Sequence, residues 1–127
     1  MITGLFSQPN YLAAKKLLDA TVLRQEGIAS NLANLETPNY KRVDVAPSFQ
    51  TELRQALNGQ NSSQIAEVQP FLATDGEAVA NTRDGNTVQL ETELTHLNAN
   101  YLEHALETQL ITGSLVKLRL AITGRQI

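Results

Sequence analysis

The sequence predicts a mainly α-helical protein. Long N- and C-terminal helices should pack as an antiparallel coiled-coil-like hairpin, with an irregular or short-β segment between them. Apolar residues step by three and four from Tyr11 to Leu35. They do so again, at an unbroken 4,3,4,3 spacing, from Leu90 to Ile122. The stretch between is polar and rich in turn residues.

The first helix is expected from about Pro9 to Asn34. Pro9 suits a first turn, where its missing N–H costs nothing. The stripe reads Tyr11, Ala14, Leu18, Thr21, Gln25, Ile28, Leu32 and Leu35, polar only at Thr21 and Gln25. Pro38 ends it, because the residue before a proline is pushed out of the α region.

Residues 41–87 read as an irregular, flexible segment. Val43 and Val45 alternate with polar residues, as in a short strand. Asn58 to Gln64 reads as a loop, Asp75-Gly76 and Asp84-Gly85-Asn86 as turns. Extended pieces are expected around Ile65 to Leu72. A link of this length is usually functional or disordered. The chain thus divides into 1–40, 41–87 and 88–127, parts of one structural domain.

The last helix is expected from about Gln89 to Ile122. Its main stripe is Leu90, Leu94, Leu97, Tyr101, His104, Thr108, Ile111, Leu115, Leu118 and Ile122. A second stripe holds Leu102, Leu106, Leu110, Gly113, Val116 and Leu120. A helix apolar on two sides needs more than one neighbour. The expected intrachain seam is Leu18, Ile28 and Leu32 against Leu94, Leu97, Tyr101, His104, Ile111, Leu115 and Leu118. Leu102, Leu106, Leu110, Val116 and Leu120 are left for other subunits. Matching the polar gaps pairs Gln25 with His104 and Thr21 with Thr108. By periodicity alone, an intramolecular hairpin and a homodimeric coiled coil both remain open.

Composition bounds the function. At 127 residues the chain makes one domain at most. With three Phe, three Tyr and no Trp, a large compact core is hard to build. A net charge of −3 without a basic patch argues against nucleic acid. The absence of Cys excludes disulfides and the common zinc sites. Met1 to Phe6 shows neither a basic n-region nor a long apolar core, so neither a cleaved signal peptide nor membrane insertion is expected. His96 and His104 are eight apart, not the four that lets two imidazoles on one helix share a metal. His96 is expected to be solvated, His104 to be a polar layer in the seam. Glu93, Glu103 and Glu107 are expected to form an exposed charged face. No catalytic, cofactor-binding or metal-binding residue is assigned, and no enzyme is expected.

The residues after the first helix carry a specific resemblance. Ser30-Asn31-Leu32-Ala33-Asn34, with Thr37-Pro38-Asn39-Tyr40-Lys41, resembles the S-N-x-A-N-x-x-T-P-G-Y-K signature of bacterial flagellar rod and hook proteins. Arg42-Val43-Asp44-Val45 and Phe49 resemble the proximal-rod version. Asp84-Gly85-Asn86 and Val88 to Glu93 resemble the family's entry to its last helix, and Leu115 to Ile122 its end. Together these cover about half the chain. Asn39 stands where the pattern has Gly. The Thr-Pro turn needs φ > 0 there, and Asn is the next best residue after Gly. A sibling rod protein, FlgC, shares the N-terminal motif but opens its last helix differently.

The resemblance implies a structural subunit that joins other copies of itself in the tube wall of the rod. It implies the rod proteins FlgC and FlgF, the FliE adaptor, the MS ring and the type III export gate as neighbours. It implies a periplasmic basal-body location, reached by export without a cleaved signal peptide, and no cofactor. The alternatives are a FlgC-type subunit and a soluble helical-hairpin binding module or secretion chaperone. A membrane-surface helix is weaker, because Asp19 and Glu26 dilute Lys15, Lys16 and Arg24.

Overall fold

The computed structural model describes residues 8–80 and 83–123. The order is α1 (Gln8–Ala33), β1 (Val43–Val45), α2 (Ser48–Asn58), α3 (Ser62–Glu67), β2 (Leu72–Thr74) and α4 (Leu90–Thr123). The two long helices and the short-β middle match the expected fold class.

The segment between the helices holds more structure than its composition announces. β1 and β2 pair antiparallel, with Val43 opposite Thr74 and Val45 opposite Leu72. Bonds from Ala46 N–H to Phe71 O (2.9 Å) and from Asp75 N–H to Arg42 O (2.9 Å) extend the ribbon. Between its strands lie α2 and α3, where the sequence reads as loop and extended chain. Asn61 caps α3 by accepting from the N–H groups of Ser63 and Gln64.

This segment provides most of the apolar core. Val45, Phe49, Leu53, Ala56, Ile65 and Val68 pack against Ala13 and Ala20 of α1, with Leu12, Leu17, Leu23 and Leu72 at the margin. Phe49 and Ile65 are the largest apolar side chains it fully buries. Gly27 lets the ribbon approach α1, because a Cβ there would lie 3.0 Å from Leu72 Cδ2.

α4 packs antiparallel on another side of α1. Asn31 meets Glu93, Gln25 meets Asn100 and Thr21 meets His104. The register is one helical turn from the expected one: Thr21, not Gln25, faces His104. Polar residues do fix the register, but they bond across it in different pairs.

The seam itself is also corrected. Leu94 is 43% exposed, Leu115 49% and Tyr101 72%, so these do not close the hairpin. Leu18, Leu32, Leu97 and Ile111 are half-buried and Ile28 is buried, while the side chain of Leu118 lies outside the described residues. Glu93, Asn100 and Glu107 are buried instead. The reason is competition for α1. Its apolar face is already covered by the middle segment, so α4 meets a mixed face bearing Thr21, Arg24, Gln25, Ile28 and Asn31.

Candidate functional site

The motif residues at the end of α1 build a polar clasp. Asn31 is fully buried. Its Nδ2 donates to Val43 O (2.9 Å) and to Glu93 Oε2 (3.2 Å). Its Oδ1 accepts from Val43 N–H (2.9 Å) and Tyr40 O–H (3.4 Å). One amide thus uses both donors and both acceptor directions. It pairs with β1 as a neighbouring strand would, and holds α4 as well. Tyr40 Oη also lies 2.9 Å from Ser30 Oγ.

The Thr-Pro turn closes as expected. Tyr40 N–H bonds Thr37 O at 3.3 Å, and Asn39 at i+2 has φ +60°. Thr37 Oγ1 donates to Asn34 Oδ1, and Asn34 Nδ2 to Ser30 O. Ala33 ends α1 without a polar contact of its own to give.

Residues from the other end of the chain complete the clasp. Asn86 Nδ2 lies within 3.1 Å of the carbonyl oxygens of Asn34, Leu35 and Thr37. These carbonyls leave the end of α1 without intrahelical partners, so the cap comes from just before α4. Asn39 N–H bonds Asp84 O (2.7 Å), Thr87 N–H bonds Tyr40 O (3.0 Å) and Arg42 N–H bonds Thr87 Oγ1 (2.8 Å). Lys41 Nζ donates to Gly85 O at 2.9 Å.

Arg42 is the electrostatic centre. It is 5% exposed, with Nε 2.6 Å from Glu93 Oε1 and Nη1 2.6 Å from Asp75 Oδ2. Burial alone would lower its pKa; the bonds to Glu93 and Asp75 outweigh that and hold it above its ordinary value. Burial likewise pushes Asp75 up, but the bond from Arg42 wins and holds its carboxyl below the usual range.

Farther along the hairpin the seam stays polar. Asn100 Nδ2 donates to Thr21 O at 2.9 Å. Thr21 Oγ1 donates to Leu18 O at 2.7 Å and lies 3.0 Å from His104 Nδ1. A hydroxyl has one proton, so His104 carries its hydrogen on Nδ1 and donates. Arg24 bridges Asp44 (3.3 Å) and Glu103 (3.4 Å). The Glu107 carboxyl is pushed up to about 7, first by burial and then by Glu103, with Arg24 opposing. Its Oε2 has no hydrogen-bond partner among the described residues. Of the three acids expected on an exposed face, only Glu103 is exposed.

The apolar side chains of α4 face outward. Leu102 is 71% exposed, Leu106 62%, Leu110 59% and Val116 42%. Leu120 is half-buried. Leu90, Leu94, Tyr101 and Leu115 flank the seam on another face and are also exposed. Arg42, Asp75, Asn86, Thr87, Glu93, Asn100 and Glu107 were not read as site residues from sequence. The usable signal was a seven-residue polar spacing, Asn86, Glu93, Asn100 and Glu107, all buried. No group of metal-ligating side chains occurs among the described residues. No described helix is long and apolar enough to cross a membrane.

The clasp joins the end of α1, the middle segment and the start of α4. It sets the direction of α4 relative to α1 and the middle segment, and so aims the exposed stripes. No protein-family model matches the chain. Among curated proteins, the flagellar basal body rod protein FlgB of Borrelia hermsii is 30% identical over 115 residues, 76% of this chain and 83% of that protein. FlgB of Bacillus subtilis is 30% identical over 115 residues, covering 80% and 84%. FlgB of Cereibacter sphaeroides is 31% identical over 132 aligned positions, covering 97% and 99%. With a clasp built from the rod signature and these likenesses along most of its length, the chain belongs to the FlgB family of flagellar basal body rod proteins.

Proposed function

We propose that this chain is a structural subunit of the flagellar basal-body rod, assembling by helix packing into a tube that transmits torque and surrounds an export channel. The observation that carries this reading is the rotational setting of α4. It turns Glu93, Asn100 and Glu107 toward its own chain and leaves Leu102, Leu106 and Leu110 in water. A self-contained binding module or chaperone would close its hairpin with those leucines. Water-exposed leucines in such numbers call for neighbouring subunits.

Family membership supports the finer assignments. The neighbours are other copies of the chain, FlgC, FlgF, the FliE adaptor, the MS ring and the export gate. The subunit works in the periplasmic part of the basal body, reaches it as an unfolded chain through the type III export channel without a cleaved signal, and catalyses nothing. The motif residues Ser30 to Lys41 position the helices, and Leu102, Leu106, Leu110, Val116 and Leu120 contact neighbours.

The experiment is deletion and complementation. Deletion should abolish swimming and rod completion, and a tagged copy should restore both and co-purify with basal bodies. Normal swimming after deletion would refute the reading.

A further inference from the structure

We propose that one broad face of the α1–α4 hairpin pairs with the same face of a second copy of this chain, the two hairpins lying antiparallel about a two-fold axis. On α1 the face holds Tyr11, Lys15, Leu18, Val22 and Glu26, which follow one another at steps of four and three. On α4 it holds Leu94, Tyr101, Thr108 and Leu115, at steps of seven. Val22 is 50% exposed, Leu94 43%, Tyr101 72% and Leu115 49%. A groove of about 440 Å³ lies between the helices here, with Val22, Glu26 and Tyr101 in its walls. The middle segment covers another side of α1, against Ala13 and Ala20.

Charge selects the partner. Lys15 stands toward one end of the face on α1 and Glu26 toward the other, both exposed, with Asp19 in water at the edge. Neither Lys15 nor Glu26 has an ion-pair partner among the described residues. A second copy turned end for end brings its Lys15 to Glu26 and its Glu26 to Lys15, so one match is made twice. The axis then passes level with Ala20 and Thr21, and the second copy's Leu18 lies over the groove beside Val22.

The far side of the hairpin checks this register. Within each chain Thr21 lies beside His104 and Gln25 beside Asn100. On α4 the same axis therefore passes level with His104 and Ala105. Tyr101 and Thr108 stand equally far from that point on either side, and so do Leu94 and Leu115. The match of charges on α1 thus sets Tyr101 on Thr108 and Leu94 on Leu115, although no α4 residue entered its choice. A two-fold axis along the hairpin would set Lys15 and Glu26 level with Leu110 and Ala99, which offer no opposite charge. The apolar pairs supply affinity, and the charges set register.

A surface matched to itself closes at a dimer. Subunits that all point one way around a channel cannot hold an antiparallel pair in their wall. On the rod-subunit reading, the dimer is therefore the unassembled form of the protein. It covers Val22, Leu94, Tyr101 and Leu115 and leaves Leu102, Leu106 and Leu110 free.

Sedimentation of the purified full-length protein should show a dimer. Lys15→Glu and Glu26→Lys should each raise its dissociation constant several-fold, and the double variant should recover most of the loss. Disulfide trapping gives the register, since the chain has no Cys of its own. Differently tagged Leu94→Cys and Leu115→Cys copies, mixed and oxidised, should link to each other, and neither should link to itself. A monomer at every concentration overturns the proposal, as does a Leu94→Cys copy that links to itself. So does a charge exchange without recovery in protein of parent-like helix content. The two routes are independent, so a variant that folds poorly in one leaves the other decisive. Both use free protein and fail separately from the rod reading, which deletion tests.

Discussion

Arg42 Nε lies 2.6 Å from Glu93 Oε1, and Glu93 is 0% exposed. This ion pair ties the residue just before β1 to the first turn of α4. Glu93 also accepts from Asn31, so one carboxylate holds three parts of the clasp. Removing one member of a buried pair leaves its partner uncompensated. Glu93→Ala should therefore cost about 3 kcal/mol in stability, the lower end for a buried pair because Asp75 still neutralises Arg42. Denaturant unfolding followed by circular dichroism would measure it. A loss below about 1 kcal/mol, the scale of an exposed pair, would show that the contact is superficial.

Asn39 and Gly85 constrain each other. A Cβ on residue 85 would lie 2.6 Å from Asn39 Oδ1, and Gly85 has φ +78°. Gly85→Ala should cost about 2 kcal/mol or more, combining the collision with the roughly 1–2 kcal/mol penalty of left-handed backbone. Asn39→Gly should be neutral or mildly stabilising, since it restores free access to φ +60°. In the double variant the collision is gone and only the backbone penalty remains. A double-mutant cycle with purely additive energies would contradict this geometry. Pro38→Ala with Asn39→Leu should misdirect the chain after α1 and impair rod assembly, unlike Asn39→Gly.

Acidity should strengthen the hairpin before it weakens the clasp. The folded pKa of Glu107 is raised to about 7 from an ordinary 4.5. The folded state thus binds the extra proton, so this contribution is complete below pH 4.5 and is lost as pH rises through 7. Asp75 has the opposite sign. Its folded pKa lies below 3.8, so its contribution is present above that pH and is lost on further acidification. Thermal unfolding should show stability rising from pH 8 toward about 5 and falling at strong acid. Glu107→Gln should flatten the neutral limb and leave the acid limb. An unchanged neutral limb in that variant would reject Glu107 as its source.

Leu106→Asp should separate folding from assembly. Leu106 is 62% exposed in the single chain, so the helix and the clasp do not need it. Against a neighbouring subunit the new charge would be trapped without a partner, at a cost of several kcal/mol. Swimming and rod completion should be lost while protein level and helix content stay near the parent. Normal swimming at normal protein level would remove this stripe from the interface.

Local rules made part of the fold legible. The Thr37–Tyr40 turn follows from Pro38 and a residue tolerant of positive φ. Val43 and Val45 announced β1 by alternation. α2 was missed, although Phe49, Leu53 and Ala56 hold helical spacing, because the polar run from Asn58 masked so short a helix. The face of α4 that turns inward could not be read from α4 alone. The second apolar stripe faces out as expected, but the first gives way to the neighbouring polar line Glu93, Asn100 and Glu107, a choice that rests on what α1 has left to offer after Phe49 and Ile65 cover it. Asn31 was visible as a motif residue, but its four bonds depend on strand and helix positions far away in the chain. Arg42 and Asn86 stood in the segments that carry the resemblance, but nothing local marked them as buried, because charge and amide groups commonly mark surface.

The most direct measurement is a map of the isolated basal body at side-chain resolution. This chain should lie in the rod wall, with Leu102, Leu106 and Leu110 buried against neighbouring subunits and the Arg42–Glu93 and Thr21–His104 contacts intact within each copy. Copies with those leucines still facing water, or a rod wall without this chain, would contradict its role as a rod subunit.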